Sequence, residues 1–250
     1  MKYLLHLSVM CLLWISYGIS AHAKNKVVLS THNLCPYGCY SEDAILLDNS
    51  NFIGLAADVV KCVFNKMDVP LEIVVVPWAR AQRMVKNDQA DGFFAASQKS
   101  TRDEFAVMSS IIAEQKWTWY LLLENSLNPV ESNFKKKAIV GGFIGSNMLK
   151  WMEESGYRIG ARPLNSERLL KMLLGKRVDA ILANDHVMEA LLQSYGLKNR
   201  IKTFVSNDKP LGVYFSKTFL AKRPLFLAEF NRHIPSCVSP TSLNWPEIID

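Results

Sequence analysis

Residues 71–112 read LEIVVVPWARAQRMVKNDQADGFFAASQKSTRDEFAVMSSII, and this stretch alternates strand and helix patterns. The apolar, β-branched run 71–76 is typical of a strand that is buried on both faces. Pro77 ends that run, and apolar residues then recur at helical spacing within 78–85. A second apolar run at 93–96 predicts another strand. The order strand, helix, strand predicts an α/β fold.

The polar turn at 97–103 holds the first candidate for a binding residue. It follows the second strand directly, and α/β sheets bind ligands beyond the carboxyl ends of their strands. The guanidinium of Arg102 could grip a carboxylate through two parallel hydrogen bonds, and the Ser97 hydroxyl could add a third. The alternative is a solvated loop arginine beside Asp103 and Glu104.

This stretch resembles the polar-amino-acid branch (family 3) of the type II periplasmic solute-binding proteins. The residues that fall at the family's offsets are Asp91, Ala95, Ser97, Arg102 and Ser109. The resemblance implies a two-lobed α/β clamshell in which each lobe is a central sheet flanked by helices. It also implies that the lobes close by a hinge motion around a small polar solute, either an amino acid or a related carboxylate.

Two positions depart from the family pattern. Lys99 stands where the family often has a threonine, three residues before the arginine. Residues 173–180 resemble a family passage that precedes an aspartate, and that aspartate pairs with the ammonium of amino-acid ligands. Here the position is Asn184, and an amide does not neutralise a cation. Either Asp185 substitutes for it or the ligand has no conventional α-ammonium; Asp185 could equally cap the helix predicted at 186–193.

Three further candidates lie in the expected first lobe. In the resembled family an aromatic residue after the first strand packs on the ligand, and Tyr37 is the best match, with a turn tyrosine at the cleft edge as the alternative. Trp78 offers a flat indole face, or packs within the lobe. Arg80 would bring a second positive charge to the same sheet edge.

The expected second lobe offers a helix start after a strand. Gly145 and Ser146 look like the family's glycine–hydroxyl pair that meets the ligand, and Asn147 follows them. Backbone N–H groups at a helix start form a ready anion site. Ser146 could also serve only as the cap of its helix.

Residues 1–23 have the pattern of a secretory signal peptide. Lys2 precedes an apolar stretch at 4–19, and Ala21-His22-Ala23 fits a cleavage site. The sequence therefore predicts a soluble periplasmic protein that begins near residue 24. The predicted division is 24–124 for the first lobe, 125–206 for the second, and 207–250 for the return crossing and the C-terminal part of the first lobe.

Four cysteines remain after such a cleavage, and an oxidising compartment favours disulfides. Cys35 and Cys39 bracket a tight turn, and Cys62 with Cys237 would tie the first helix to the end of the chain, although four cysteines allow three pairings. His32, Cys35 and Cys39 could alternatively present three zinc ligands, but no fourth ligand follows nearby. We therefore expect disulfides and no metal.

Charge and composition exclude several classes of function. The net charge of +6 is diffuse, and 135–137 is the only basic run, which argues against nucleic-acid binding. No nucleophile elbow surrounds a serine, and no glycine-rich phosphate loop is present. We expect no enzyme activity and no cofactor.

The function implied by the resemblance is a monomeric periplasmic binding protein that delivers its solute to an ABC permease in the inner membrane. Two alternatives stay open. One is a stand-alone periplasmic sensor or partner protein of the same fold. The other is a secreted enzyme built on this scaffold, because a fold alone does not determine function.

Overall fold

The structure is a computed structural model, and it describes residues 26–40 and 49–238. The signal peptide predicted at 1–23 lies outside these residues. Within the described ranges, no helix has both the length and the apolar character needed to cross a membrane.

Strands and helices alternate along the described chain, as the sequence predicts. The first elements are β1 (Val27–Thr31), β2 (Cys39–Tyr40), β3 (Phe52–Ile53), α1 (Leu55–Lys66), β4 (Leu71–Val75), α2 (Trp78–Lys86), β5 (Gly92–Ser97), α3 (Ser100–Asp103) and β6 (Ala106–Met108). The next are β7 (Lys116–Leu122), α4 (Phe134–Lys137), β8 (Ile139–Gly141), α5 (Asn147–Glu154), β9 (Arg158–Ala161), α6 (Ser166–Leu174), β10 (Ala180–Asn184), α7 (Asp185–Ser194) and β11 (Ile201–Asp208). The last are β12 (Leu211–Ser216), α8 (Lys217–Lys222) and α9 (Phe226–His233).

The first sheet has the strand order β4-β1-β5-β12-β6. β1 pairs in parallel with β4 and β5, and β12 returns antiparallel between β5 and β6. Helices cover both faces: α1 and α9 pack over one apolar cluster, and α2 covers the other. The α/β prediction from 71–112 is confirmed for this lobe.

One detail of that prediction is wrong. The strand at 71–75 is not buried on both faces, because β4 is an edge strand and only Ile73 is fully buried. The side chain of Asn49 covers part of this edge. Its amide donates to the Leu71 carbonyl and accepts from the Ile73 N–H.

The second sheet has the order β11-β7-β10-β8-β9. β10 and β8 are parallel, as are β8 and β9, whereas β7 runs antiparallel to both β10 and β11. Helices α6 and α7 cover one face, and α4 and α5 cover the other. Each lobe is therefore a sheet flanked by helices.

The predicted first lobe extends to residue 124, but the structure places β7 in the second sheet. The first crossing between lobes is thus the segment 109–115, ahead of the predicted boundary. Asn184 lies opposite Trp117 in the β10–β7 ladder, a pairing that an apolar run alone cannot reveal. The return crossing is short, between the end of β11 and the start of β12.

The two crossings lie side by side and are tied together by hydrogen bonds. The Leu211 N–H donates to the Ala113 carbonyl, and the Lys209 N–H donates to the Gln115 carbonyl. The side chain of Gln115 donates back to the Lys209 carbonyl. This paired strap is the only covalent route between the sheets within the described residues, and it has the form of a hinge.

Both predicted disulfides are present. Cys35 pairs with Cys39 across a tight turn, and Cys62 of α1 pairs with Cys237 after α9. The zinc alternative is excluded for this state, because the two sulfur atoms that would ligate the metal are bonded to each other. No cluster of three or more potential metal ligands occurs in the described part of the chain.

Candidate functional site

A cavity of about 290 Å³ lies between the two sheets. The ends of three strands reach it: His32 follows β1, Ser97 ends β5 and Asn184 ends β10. Trp117 also reaches it because β7 is antiparallel, so the start of β7 meets the same edge as the end of β10. The remaining lining residues are Leu34, Pro77, Trp78, Ala79, Ala95, Gln115, Phe143, Ile144, Gly145, Ser146, Asn147, Met148 and Leu211.

Within residues 26–40 and 49–238, the cavity wall carries no formal charge. None of its lining residues is an aspartate, glutamate, lysine or arginine. His32 is the only titratable group among them, and burial, with a further contribution from the positive charge of Arg102, lowers its pKa from 6.5 to about 4. His32 is therefore neutral at ordinary pH, with its ring packed on Trp78 at 4.5 Å.

Arg102 lies immediately behind this wall, on α3. Only 2% of the residue is exposed, so the alternative of a solvated loop arginine is wrong. Its Nε donates to Gln82 Oε1 at 2.9 Å, and its Nη1 donates to the Ser97 carbonyl at 2.5 Å. Its Nη2 donates across the cleft to Asn147 Oδ1 at 3.4 Å. The structure brings the predicted anchor to the site, with its donors directed at neutral acceptors.

The guanidinium of Arg102 has no ion-pair partner among the described residues. Burial lowers its pKa to about 10, which leaves it charged at neutral pH. Its charge centre lies 5.2 Å from the Trp78 ring and 5.9 Å from the Phe93 ring, so part of its stabilisation comes from aromatic faces. Buried charges are normally paired, whereas this cation is offset only in part, by the charge of the neighbouring Asp103.

The second lobe meets Arg102 through the start of α5. Asn147 also donates to Ser97 Oγ at 3.5 Å, so its one amide contacts two residues of the opposite lobe. Ser146 caps α5 by accepting from the Leu149 N–H, and it lines the cavity as well. Gly145 has a φ of +82°, a backbone conformation that L side chains rarely adopt.

Asn184 carries the clearest unmet hydrogen-bonding need in the site. The residue is 6% exposed and lines the cavity, and its Oδ1 has no partner. A buried acceptor without a donor costs about 1–3 kcal/mol. His32 Nδ1 is likewise buried without a partner. Among the described residues, two buried polar atoms, one from each lobe, thus lack a hydrogen-bond partner.

Asp185 does not line this cavity, although it follows Asn184 directly. It is the first residue of α7, and the residue that precedes the helix is Asn184, which makes no side-chain capping bond. The prediction that Asp185 caps a helix at 186–193 is therefore wrong by one position. Its carboxylate instead accepts from Tyr37 Oη at 3.4 Å.

Tyr37 is fully buried outside the cavity wall. Its hydroxyl donates either to the Glu114 carbonyl of the crossing, at 3.1 Å, or to Asp185 of the second lobe. Burial raises the pKa of Tyr37, and the neighbouring Asp185 carboxylate raises it further. Tyr37 thus connects the lobes beside the hinge. The sequence had instead predicted that Tyr37 contacts a ligand.

Of the other two first-lobe candidates, Trp78 lines the cavity and Arg80 does not. Trp78 begins α2, lines the cavity, and contacts both His32 and Phe93, so it packs within its lobe and faces the site. Arg80 is exposed on α2 and does not line the cavity. Of the ten candidates, six line the cavity: Trp78, Ser97, Gly145, Ser146, Asn147 and Asn184.

Sequence reasoning did not identify His32 or Trp117 as wall residues. His32 immediately follows β1, and that position at the carboxyl end of a parallel strand was an available signal. Trp117 lacked a signal, because its position depends on β7 running antiparallel in the second lobe. Phe143 and Ile144 follow the parallel strand β8, so the signal available for His32 was available for them as well.

The chain matches no family model and no curated protein. Solved structures do share its fold. A histidine-bound substrate-binding protein of an ABC uptake transporter from Streptococcus pneumoniae superposes with a TM-score of 0.69 at 14% identity, over 87% of this chain and 88% of the other. Holo ArgBP from T. maritima gives 0.67 at 13% identity, over 87% and 93%. The glutamate-bound GluR0 ligand-binding core from Nostoc punctiforme gives 0.67 at 14% identity, over 84% and 92%.

Identities this low establish a common fold and nothing finer. The predicted two-lobed type II periplasmic-binding-protein architecture is confirmed. The fold implied by the family 3 resemblance is therefore the fold this chain adopts.

Proposed function

We propose that this protein binds a small polar solute in the cavity between its lobes and closes around it by a hinge motion. The observation that carries this proposal is that both lobes build the cavity wall. Ser97 and Trp78 come from the first lobe, and Asn147 and Asn184 come from the second. A ligand held by both halves contacts the closed form more extensively than the open form, and this difference drives closure.

The hinge follows from the two crossings at 109–115 and 209–210. They are hydrogen-bonded to each other, so a change of backbone angle in one must be matched in the other. Such a paired strap allows the lobes to rotate as rigid bodies. The hydrogen bonds of Asn147 with Arg102 and of Tyr37 with Asp185 join the two lobes and would break on opening.

We further propose that the protein works in the periplasm and delivers its solute to an ABC permease. The signal-like pattern at 1–23 and the two disulfides fit an exported protein. The Streptococcus pneumoniae protein that shares the fold is bound to histidine, and ArgBP from T. maritima is bound to arginine. Both observations favour binding over catalysis.

The direct test is native mass spectrometry of the exported protein, followed by titration calorimetry with any solute that co-purifies. We expect one small molecule per chain and a rise in melting temperature on adding it back. Absence of a co-purified molecule, together with no thermal shift from any solute in a broad metabolite panel, would contradict the proposal.

A cavity-filling variant locates the binding event. Ala79 lines the cavity and has an exposed side chain, so Ala79→Trp can fill the space without disturbing a core. We expect binding to fall at least about tenfold, a change of about 1.4 kcal/mol. The matched control is Ala221→Trp on α8, which is exposed and does not line the cavity. It should leave binding unchanged.

A further inference from the structure

We infer that the cavity takes a small carboxylate whose nitrogen is neutral, such as an N-acylated amino acid, and discriminates against free α-amino acids. This inference rests on the proposed solute-binding function and specifies the class of solute. It is carried by three features of the site: the absence of a carboxylate among the described wall residues, the unpartnered oxygen of Asn184, and the buried cation of Arg102, which has no ion-pair partner in direct contact.

The wall residues that the structure describes include no carboxylate that could neutralise an ammonium group. The described wall side chains are all uncharged at neutral pH. His32 is the one titratable group among them, and burial keeps it neutral. Asp185 is the nearest carboxylate in sequence to Asn184, but it lies outside the wall and is engaged by Tyr37. A cation placed here would lose its hydration without gaining an opposite charge, and it would face the buried Arg102.

Asn184 nevertheless has an unmet requirement for a hydrogen-bond donor, which a ligand that reorients this side chain can satisfy. Its Oδ1 is buried in the wall without a partner. A neutral amide N–H meets this requirement, because it donates one hydrogen bond and is far less costly to desolvate than an ammonium. The unpartnered oxygen of Asn184 and the absence of acidic side chains among the described wall residues therefore point to the same ligand chemistry.

Arg102 supplies the position for the carboxylate. A guanidinium has five N–H donors, and Arg102 makes three side-chain hydrogen bonds. The longest of them, 3.4 Å, goes to Asn147 Oδ1, and Asn147 is a wall residue. A ligand carboxylate that displaces this amide oxygen would give the guanidinium its missing counter-charge through a shorter, charge-assisted bond.

The rest of the wall fits an apolar body between these two ends. Trp78 and Ala95 contribute from the first lobe, and Trp117, Phe143 and Met148 contribute from the second. Pockets of this kind bury most of a small ligand against apolar and aromatic side chains, while a few polar groups fix its orientation. The site is thus charged at one end only.

The test compares four matched compounds by calorimetry: leucine, N-acetylleucine, leucinamide and N-acetylleucinamide. They vary the nitrogen and the carboxyl group independently around one side chain. We expect N-acetylleucine to bind at least about tenfold more tightly than leucine, equivalent to 1.4 kcal/mol. N-acetylleucinamide should bind more weakly than N-acetylleucine because it lacks the carboxylate, and leucinamide should bind worst.

A charge-restoring variant makes the comparison specific to Asn184. Asn184→Asp should reverse the preference, with leucine gaining affinity and N-acetylleucine losing it. Asn199→Asp adds the same charge at an exposed position of the turn after α7, so it should keep the order of the wild-type protein. Circular dichroism of each variant confirms that the fold is retained.

The outcomes separate the two proposals. If leucine binds as tightly as N-acetylleucine or more tightly, the inference is wrong while solute binding stands. If no compound binds, the solute that co-purifies decides, since an ammonium-bearing one overturns the inference and a neutral-nitrogen carboxylate supports it. If no compound binds and none co-purifies, the proposed function fails as well.

Discussion

Asn147 Oδ1, at the start of α5 in the second lobe, lies 3.4 Å from Arg102 Nη2 in the first lobe. The same amide donates to Ser97 Oγ, so one residue spans the cleft with two hydrogen bonds. These bonds are made only when the lobes approach each other. Asn147 therefore stabilises the closed arrangement of the unliganded protein.

Replacing Asn147 by alanine should favour opening of the lobes. Each lost hydrogen bond contributes about 0.5–1.5 kcal/mol, so the equilibrium should shift by about 1–3 kcal/mol. Small-angle X-ray scattering of the unliganded variant should show a larger radius of gyration than that of the wild-type protein. Asn125→Ala is the control, because Asn125 bonds only within the second lobe. Equal radii for Asn147→Ala and the wild-type protein would show that this contact does not hold the lobes together.

Replacing Arg102 by alanine should weaken binding of a carboxylate solute by a few kcal/mol, because the buried cation directly behind Ser97 and Asn147 is lost. Binding of the matching amide should change much less. Arg83→Ala removes an exposed arginine from α2 and should change neither affinity. Calorimetry with both ligands checks this. An equal loss for acid and amide would mean that Arg102 acts only by supporting Ser97 and Gln82.

The pKa of His32 predicts how stability depends on pH. Its pKa is about 4 in the folded protein and 6.5 when unperturbed, because burial disfavours the charged imidazole. As the pH falls below 6.5, the unfolded chain takes up a proton that the folded chain does not, so stability is lost down to about pH 4. The loss is on the order of 2–3 kcal/mol.

Urea unfolding of the wild-type protein and of His32→Gln at pH 7 and pH 4.5 measures this contribution. The wild-type protein should lose more free energy of unfolding than the variant, since carboxylates titrate in both. A loss of the same size in both proteins would show that His32 titrates normally.

The two disulfides should differ in their effect on stability. Cys62 and Cys237 are 175 residues apart, whereas Cys35 and Cys39 are 4 apart. Chain entropy assigns about 5 kcal/mol to the longer loop and about 2 kcal/mol to the shorter one. Double alanine variants of each pair, compared by denaturant unfolding, should follow this order. Non-reduced peptide mapping should also link each pair, and free thiols would contradict the pairing.

The fold was predictable where local patterns decide the structure. The predicted strands at 71–76 and 93–96 and the helix predicted within 78–85 agree with β4, β5 and α2 to within one residue at each end, because periodicity and flanking turn residues define them locally. The assignment of 117–123 to a lobe depended on its antiparallel pairing with β10, which is a tertiary choice. The prediction that β4 is buried on both faces was wrong for the same reason, because an apolar run does not indicate whether its strand lies at the edge of a sheet.

The site was predictable at the carboxyl ends of parallel strands. Ser97 was predicted from that rule, and Ser146 and Asn184, which the family resemblance indicated, also lie at or after the ends of strands; all three line the cavity. The rule did not specify which side chains face the cavity. Arg102 lies behind the wall and Tyr37 contacts the other lobe, because both form hydrogen bonds with residues distant in sequence.

A crystal structure of the exported protein with its co-purified solute tests most directly whether a solute binds between the lobes. We expect ligand density there, with a donor within hydrogen-bonding distance of Asn184 Oδ1 and an anionic end facing Ser97 and Arg102. Ligand density on any other surface, with this cavity holding only water, would contradict this expectation.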